Sequence, residues 1–511
     1  MKGVAPNGVV DARPVPGTPR PYEFPPVSRS RLSNGMGLLV VDLPGRPLVS
    51  ATIILPNGAV DEAAAQAGAT VLAARALSEG TERYDAVGLV EAAERLGASL
   101  HAEAGWDATS GGVDVPAARL EPALELLAEM MARPTFPEAE IDRLRDERLN
   151  DLLQARADPR RRAEEAFVET IYTPASPYHR PSGGTRDTVA RLDSRRVRAA
   201  YARGFDPARA TLVIGGDLTG LDVPGIADRL FGSLRQDAGA RTSKRIVAEP
   251  GIDARLVRVV HRPGAVQTEI RIGHLGLPRR VPDFHAVSVM SAILGGLFNS
   301  RLNMKLREEK GYTYGASAGF DMRRAAGPFA ARAAVNTEVT VPAVADFLSE
   351  LERIRAPVGE AELRAARDFL VGVFPLRFET PGAVVGALSS LVVHDLSDDE
   401  LTRYRDAIEA VTIDDVTRAA REHINLDRAA IVLVGDADAF AAELEAAGFG
   451  PVRVERDDGP VAEGPEAGVE DELGPVDDGN AGPAAPAGEP AGDPAGDPVV
   501  DPARAEGVDD R

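Results

Sequence analysis

The chain contains no cysteine. Disulfides, thiolate nucleophiles and cysteine-ligated zinc are therefore excluded, and the absence suits a reducing compartment. Histidine is sparse as well. The seven are His101, His179, His261, His274, His285, His394 and His423, and no two stand three or four residues apart. No helix can therefore present two imidazoles on one face, as a paired metal grip requires. Each is expected in an ordinary structural or surface role. No apolar run approaches the roughly 18 residues needed to span a bilayer. Residues 1–32 lack the apolar stretch of a signal peptide. There is no basic stripe of the kind that tracks nucleic acid. The expectation is a soluble, cytoplasmic protein with no nucleic-acid or membrane partner.

What is present is a chain of 511 residues, long enough for two to four domains, with an ordinary 44% apolar content. The net charge of −21 is unevenly placed. Residues 456–511 hold 16 Asp and Glu against 3 Arg, a net of −13, which leaves −8 for the rest. That tail is rich in Pro, Gly, Ala and Asp, and it repeats AGDPAGDP at 491–498. It has too few large apolar residues to offset the entropy of ordering, so it reads as a disordered acidic tail. It is either solubilising or a docking segment for a basic partner. Residues 1–30 read as a flexible arm.

Between these ends the chain repeats. Pro207-Ala-Arg-Ala-Thr-Leu-Val-Ile-Gly-Gly-Asp217 returns as Leu426-Asp-Arg-Ala-Ala-Ile-Val-Leu-Val-Gly-Asp436, 219 residues later. Each is a β-branched apolar run closed by Gly-Asp, the pattern of a buried strand ending in a turn. Two homologous domains follow, at 31–225 and 250–440, with a linker at 226–249 and a transition segment at 441–455. In the first, strands are expected at 38–42, 50–55, 99–104 and 108–115, and helices at 63–77, 86–96, 120–132 and 138–157. In the second, strands are expected at 256–261, 268–275, 313–320 and 327–336, and helices at 283–294, 300–309, 339–355 and 358–376. Strands and helices come in runs and do not alternate strictly. The expected class is α+β: two tandem α/β sandwiches, each an antiparallel-rich sheet with helices on one face, forming a clamshell.

Several segments then carry a family resemblance: Leu-Ser-Asn-Gly at 32–35, Pro-Asn-Gly-Ala-Val-Asp-Glu at 56–62, Glu79-Gly80-Thr81, Leu-Gly-Ala-Ser-Leu at 96–100, Asp107-Ala-Thr, Pro-Ser-Gly-Gly-Thr at 181–185 and Gly215-Gly-Asp217. Over residues 30–440 the chain resembles the insulinase-type, or pitrilysin-like, metallopeptidases, which include two-subunit processing peptidases. The resemblance implies a His-x-x-Glu-His helix, whose two His grip zinc while the Glu activates water. Counting back from Glu79-Gly80-Thr81, those positions are Val71, Ala74 and Arg75. None can serve, and Arg75 is a permanent cation. Glu140 or Glu147 matches the family's third ligand, but a lone carboxylate does not hold catalytic zinc. The chain is expected to bind no metal itself.

The second half keeps the other part of the site that the resemblance implies. Leu-Gly-Gly-Leu-Phe-Asn-Ser-Arg-Leu at 294–302 and Leu-Arg-Glu-Glu-Lys-Gly-Tyr-Thr-Tyr at 306–314 are similar to the family segment whose Arg and Tyr, seven residues apart, reach the substrate. The matching residues are Arg307 and Tyr314. A guanidinium can fork onto peptide carbonyls, and a phenol can stabilise an oxyanion. The plain structural alternative is a helix-end ion pair of Arg307 with Glu308 and core packing of Tyr312 and Tyr314. The resemblance thus implies a non-hydrolysing subunit that holds an extended peptide and lends Arg307 and Tyr314 to a His-x-x-Glu-His homologue, which carries the zinc, in a heterodimer. A non-enzymatic scaffold of the same fold is the alternative.

Overall fold

A computed structural model describes residues 21–235, 246 and 248–456. The arm before residue 21 and the acidic tail beyond residue 456 lie outside the described residues. The first sheet contains β1 (Ser28–Arg31), β2 (Gly37–Asp42), β3 (Leu48–Leu55), β4 (Ser99–Ala104), β5 (Thr109–Pro116) and β6 (Thr211–Gly216). The second contains β7 (Leu256–His261), β8 (Gln267–Leu275), β9 (Ala316–Phe320), β10 (Pro328–Asn336), β11 (Ala430–Gly435) and β12 (Val452–Arg456). In their orders, β1-β2-β6-β3-β5-β4 and β12-β7-β11-β8-β10-β9, the last five strands repeat one pattern, while the outermost differ: β1 is antiparallel to β2 and β12 is parallel to β7. Each sheet is mainly antiparallel, with β6 parallel to β2 and β11 parallel to β7. This is the expected pair of α+β sandwiches.

The repeated apolar runs are β6 and β11, and every residue in both is buried. Leu212 and Ile214 face the helices of their own half, and so do Ile431 and Leu433. The alternate residues face the other way, and their cover comes from the opposite half. Helix Pro159–Ile171, from the first half, lies on β11 and β8. Its Ala163, Ala166 and Phe167 pack on Ala430, Val432 and Val434. Helix Pro381–Val393, from the second half, lies on β3 and β6. Its Val384, Val385 and Leu388 join Leu39, Val41 and Val213. The sequence reading assigned neither helix; it provided cover for one face only.

Small residues make room for the exchange. A Cβ on Gly273 would stand 1.9 Å from the Phe329 carbonyl and 2.9 Å from the Phe167 ring, and one on Gly215 would stand 3.0 Å from Val385. Ion pairs then fasten the first exchanged helix. Arg258 on β7 binds Glu169 at 3.0 Å and Glu455 at 2.7 Å, and Arg271 on β8 reaches Glu164 at 3.3 Å.

Three expected boundaries change. Residues 441–455 are not a transition: they complete helix Ala437–Ala447 and form most of β12, which pairs with β7. The linker expected from 226 begins later, because helix Val223–Phe231 buries Ile226, Ala227 and Phe231 in the first core. Within the expected arm, residues 28–30 belong to β1, while Tyr22 stacks on Phe378 and meets Phe374 edge-on, and Phe24 meets Phe378 edge-on, both of the other half. Aromatic burial there outweighs chain entropy.

A polar node also joins the halves. Buried Asp107 accepts from the Tyr178 hydroxyl at 3.1 Å and from the Arg324 amide at 2.9 Å. The Arg323 guanidinium lies 4.8 Å from both the Trp106 and Tyr178 rings. Nearby, burial and the cations Arg279 and Arg324 push the His394 imidazole down to about 4, against the opposing pull of Asp321.

Two outcomes follow. Phe167→Ala should cost about 3–5 kcal/mol, the usual range for emptying a buried aromatic site; a calorimetric loss below about 1 kcal/mol would mean that the exchanged helix does not anchor the halves. His394 is neutral when folded and binds its proton more readily when unfolded. Its contribution is therefore intact above the ordinary imidazole range and is lost as pH falls through that range to about 4. His394→Leu should flatten the denaturation midpoint between pH 7 and 5, and an unchanged acid limb would count against the assignment.

Candidate functional site

The helix bearing Val71, Ala74 and Arg75 is short: Ala69–Arg75, preceded by 3-10 turns at Ala59–Asp61 and Ala64–Gln66, where one helix over 63–77 was expected. Gly68 interrupts it with φ of +93°. That conformation, and the backbone-to-backbone approach it allows, both demand glycine. A Cβ on Gly68 would meet the Gly183 carbonyl at 2.6 Å, and one on Gly184 would meet the Ala67 carbonyl at 2.3 Å. The 181–185 loop is thus the bed of this helix. Glu62 ties down its start, accepting from the Gly68 amide at 2.9 Å and from the Thr70 amide. Burial pushes the Glu62 carboxyl up, against those two donors.

Ala74 is buried, Val71 is half-buried, and Arg75 reaches solvent to pair with Glu147 at 3.4 Å. Arg143 takes the remaining carboxylates: Glu79 at 2.6 Å, Glu140 at 2.8 Å and Glu147 at 2.6 Å. Arg148 turns back onto the Gly183 carbonyl at 3.1 Å and pairs with Asp151. The crevice left among Val71, Leu72, Arg75, Arg148 and Gly183 is about 10 Å³, at the threshold for a single water. These residues do not fit zinc: the ligands are missing, two guanidinium groups border the space, and the matching carboxylates are already paired.

In the second half, helix Phe284–Ser291 widens into π turns at Ala292–Gly296, and a second π segment runs from Asn303 to Glu309. It ends at Gly311, φ +63°, where the Gly311 amide donates to the Arg307 carbonyl at 3.0 Å and the Tyr312 amide to the Leu306 carbonyl at 2.8 Å. This is a glycine-capped helix end. Arg307 is one-third exposed; its guanidinium sits 4.4 Å from the Phe298 ring centroid and 3.7 Å from Glu308. Tyr312 packs partly on the core, whereas Tyr314 is 94% exposed. Arg307 and Tyr314 thus sit on one solvent-facing segment, but no hydrogen bond or ring contact joins them.

Residues 39–180 match the model of the insulinase family, peptidase family M16, and residues 191–370 match that of the peptidase M16 inactive domain. The chain belongs to peptidase family M16. An "uncharacterized zinc protease" of Mycobacterium leprae is 24% identical over 80% of this chain and 91% of its own length. A "non-peptidase homolog" of Helicobacter pylori is 24% identical over 62% of this chain and 72% of its own. Among solved structures, a peptidase M16 inactive domain from Pseudomonas fluorescens superposes with a TM-score of 0.74 at 24% identity, over 80% of this chain and 98% of that one. A Helicobacter pylori protease gives 0.75 at 20% identity, over 80% and 100%.

Other parts of this M16 chain do bring histidines and carboxylates together, which spacing alone did not reveal. His261 lies 3.8 Å from Asp436 and 3.6 Å from Asp438. Its Nδ1 accepts from the Ala437 amide at 3.1 Å, which leaves the proton on Nε2 and no lone pair for a metal. His423 Nε2 is 2.8 Å from Asp283, an inter-helix bond beside exposed Glu422. Both groups serve the packing of helix ends. Among the described residues no single helix is long and apolar enough to cross a membrane.

The zinc test is direct. After dialysis against equimolar zinc at neutral pH, elemental analysis should find far less than one zinc per chain. One tightly held zinc, lost on Glu147→Ala, would show that the Arg75–Glu147 pair opens to admit metal.

Proposed function

We propose that this chain is the non-hydrolysing subunit of a heteromeric M16 metallopeptidase. It holds an extended peptide and presents Arg307 and Tyr314 to the active site of a partner that carries the His-x-x-Glu-His ligands and the zinc. One contrast carries the reading. The zinc-motif positions are closed by arginine ion pairs, while the segment bearing Arg307 and Tyr314 faces solvent with its donors unspent. The name given to the Helicobacter pylori relative, a non-peptidase homolog, supports a non-catalytic member of the family.

The chemistry divides naturally between two chains. The partner supplies the metal and its activated water. This chain supplies a guanidinium fork for the carbonyls of the bound peptide and a phenol for developing negative charge. The outer strand β4 offers one open edge, with residues alternately exposed and half-buried, along which an extended peptide can add as a further strand.

The test is reconstitution with an M16 homologue bearing His-x-x-Glu-His and encoded beside this chain. Hydrolysis of a fluorogenic peptide should require both chains. Arg307→Ala and Tyr314→Phe should each lower kcat/KM by about 10²-fold, the scale of losing one transition-state donor. Peptide cleavage by this chain alone after zinc addition would sink the reading. Full activity of the Arg307→Ala pair would remove the clamp and favour the scaffold alternative.

A further inference from the structure

We propose that Phe298 is a positioning residue that holds the Arg307 guanidinium ready for the peptide, on a bracket formed by Asn303. The proposal rests on the peptide-holding role assigned to Arg307 above.

Phe298 is 61% exposed, so the core gains little from a phenyl ring there. What it does contact is Arg307, whose guanidinium carbon stands 4.4 Å from the ring centroid. An aromatic face restrains a guanidinium while leaving its in-plane N–H groups free for acceptors at the edge. Those groups remain available: Glu308, at 3.7 Å, is beyond hydrogen-bond distance. Arg301, on the same segment, shows the opposite use. It is buried and spends Nε and Nη2 on Glu362 at 2.8 and 2.9 Å, which makes it a structural tie.

Asn303 holds the frame together. Its side-chain nitrogen donates to the Leu297 carbonyl at 3.2 Å, and its side-chain oxygen accepts from the Ala316 amide at 2.8 Å. One side chain therefore fixes the backbone just before Phe298 and just after Tyr314, with Arg307 on the π segment between them. Arg307 and Tyr314, of types enriched at binding hot spots, thus ride with exposed Phe298 on one bracket.

The experiment has two arms. In the first, the chain alone is treated with phenylglyoxal, and modification of Arg307 is timed by mass spectrometry of its peptide. Phe298→Ala should speed that modification about threefold, the weight of an exposed cation–π contact, while Phe298→Trp should match or slow the natural rate. An unchanged rate in Phe298→Ala overturns the proposal. In the second arm, the zinc-bearing homologue is added and peptide hydrolysis is measured. Phe298→Ala should raise KM several-fold with the thermal midpoint unmoved, and Phe298→Ala combined with Arg307→Ala should be no worse than Arg307→Ala alone. Additive losses overturn the positioning role. Loss of activity with Arg307→Ala but not with Phe298→Ala also overturns it, and leaves the proposed function standing. Full activity of Arg307→Ala overturns the function itself, and the proposal with it.

Discussion

A strand buried on both faces needs cover from two directions. The helices of its own half supply only one. In this chain the central strands β6 and β11 are both of this kind, and each takes its second cover from the other half. Pro159–Ile171 crosses to the second sheet and Pro381–Val393 crosses to the first. Neither half can bury its central strand without its sibling, so the duplication is also a mutual dependence. The Asp107–Tyr178–Arg324 node and the Tyr22 and Phe24 ring contacts add to a connection already set by apolar area.

That dependence frames the site. The Val71–Arg75 helix rests on the 181–185 loop, which follows directly on the exchanged helix and its Tyr178 anchor. The Arg307 segment ends at β9, an edge strand of the second sheet. Both places are therefore built on the rigid exchange, yet they are finished differently. At the first, Arg75, Arg143 and Arg148 meet Glu79, Glu140, Glu147 and Asp151, and little space remains. At the second, the backbone departs from α-helical geometry and displays Phe298, Arg307 and Tyr314.

Much of the fold was legible in the sequence, for physical reasons. β6 and β11 are continuous apolar runs closed by Gly-Asp, and burial on both faces leaves just that pattern. The exchanged helices were not legible. Pro159-Arg-Arg-Arg-Ala-Glu-Glu reads as a charged continuation of Glu138–Ala157, and its buried face mixes Arg162 and Thr170 with Ala163, Ala166, Phe167, Val168 and Ile171. Its partners lie about a hundred residues or more downstream, beyond any local periodicity. β12, Val-Arg-Val-Glu-Arg, has too few apolar residues to declare itself as a strand. The positions of Val71, Ala74 and Arg75 could be counted from a neighbouring motif. The stacking of Phe298 on Arg307 could not, because a π segment shifts the register on which helical spacing depends.

The contrast between the two places limits how the surface around Arg307 can be explained. Phe298 and Tyr314 are left in water, and π turns are rare and frequently sit at functional sites. The arginine pairs around Val71, Ala74 and Arg75, by contrast, are satisfied within the chain. One place is satisfied within the chain, and in the proposed function the other receives a molecule with acceptors and apolar groups. An extended peptide has both: carbonyls for the Arg307 fork and side chains for the Phe298 and Tyr314 rings. The missing ligands and the exposed aromatics are together what the proposed function accounts for: a site whose metal and water come from a second chain.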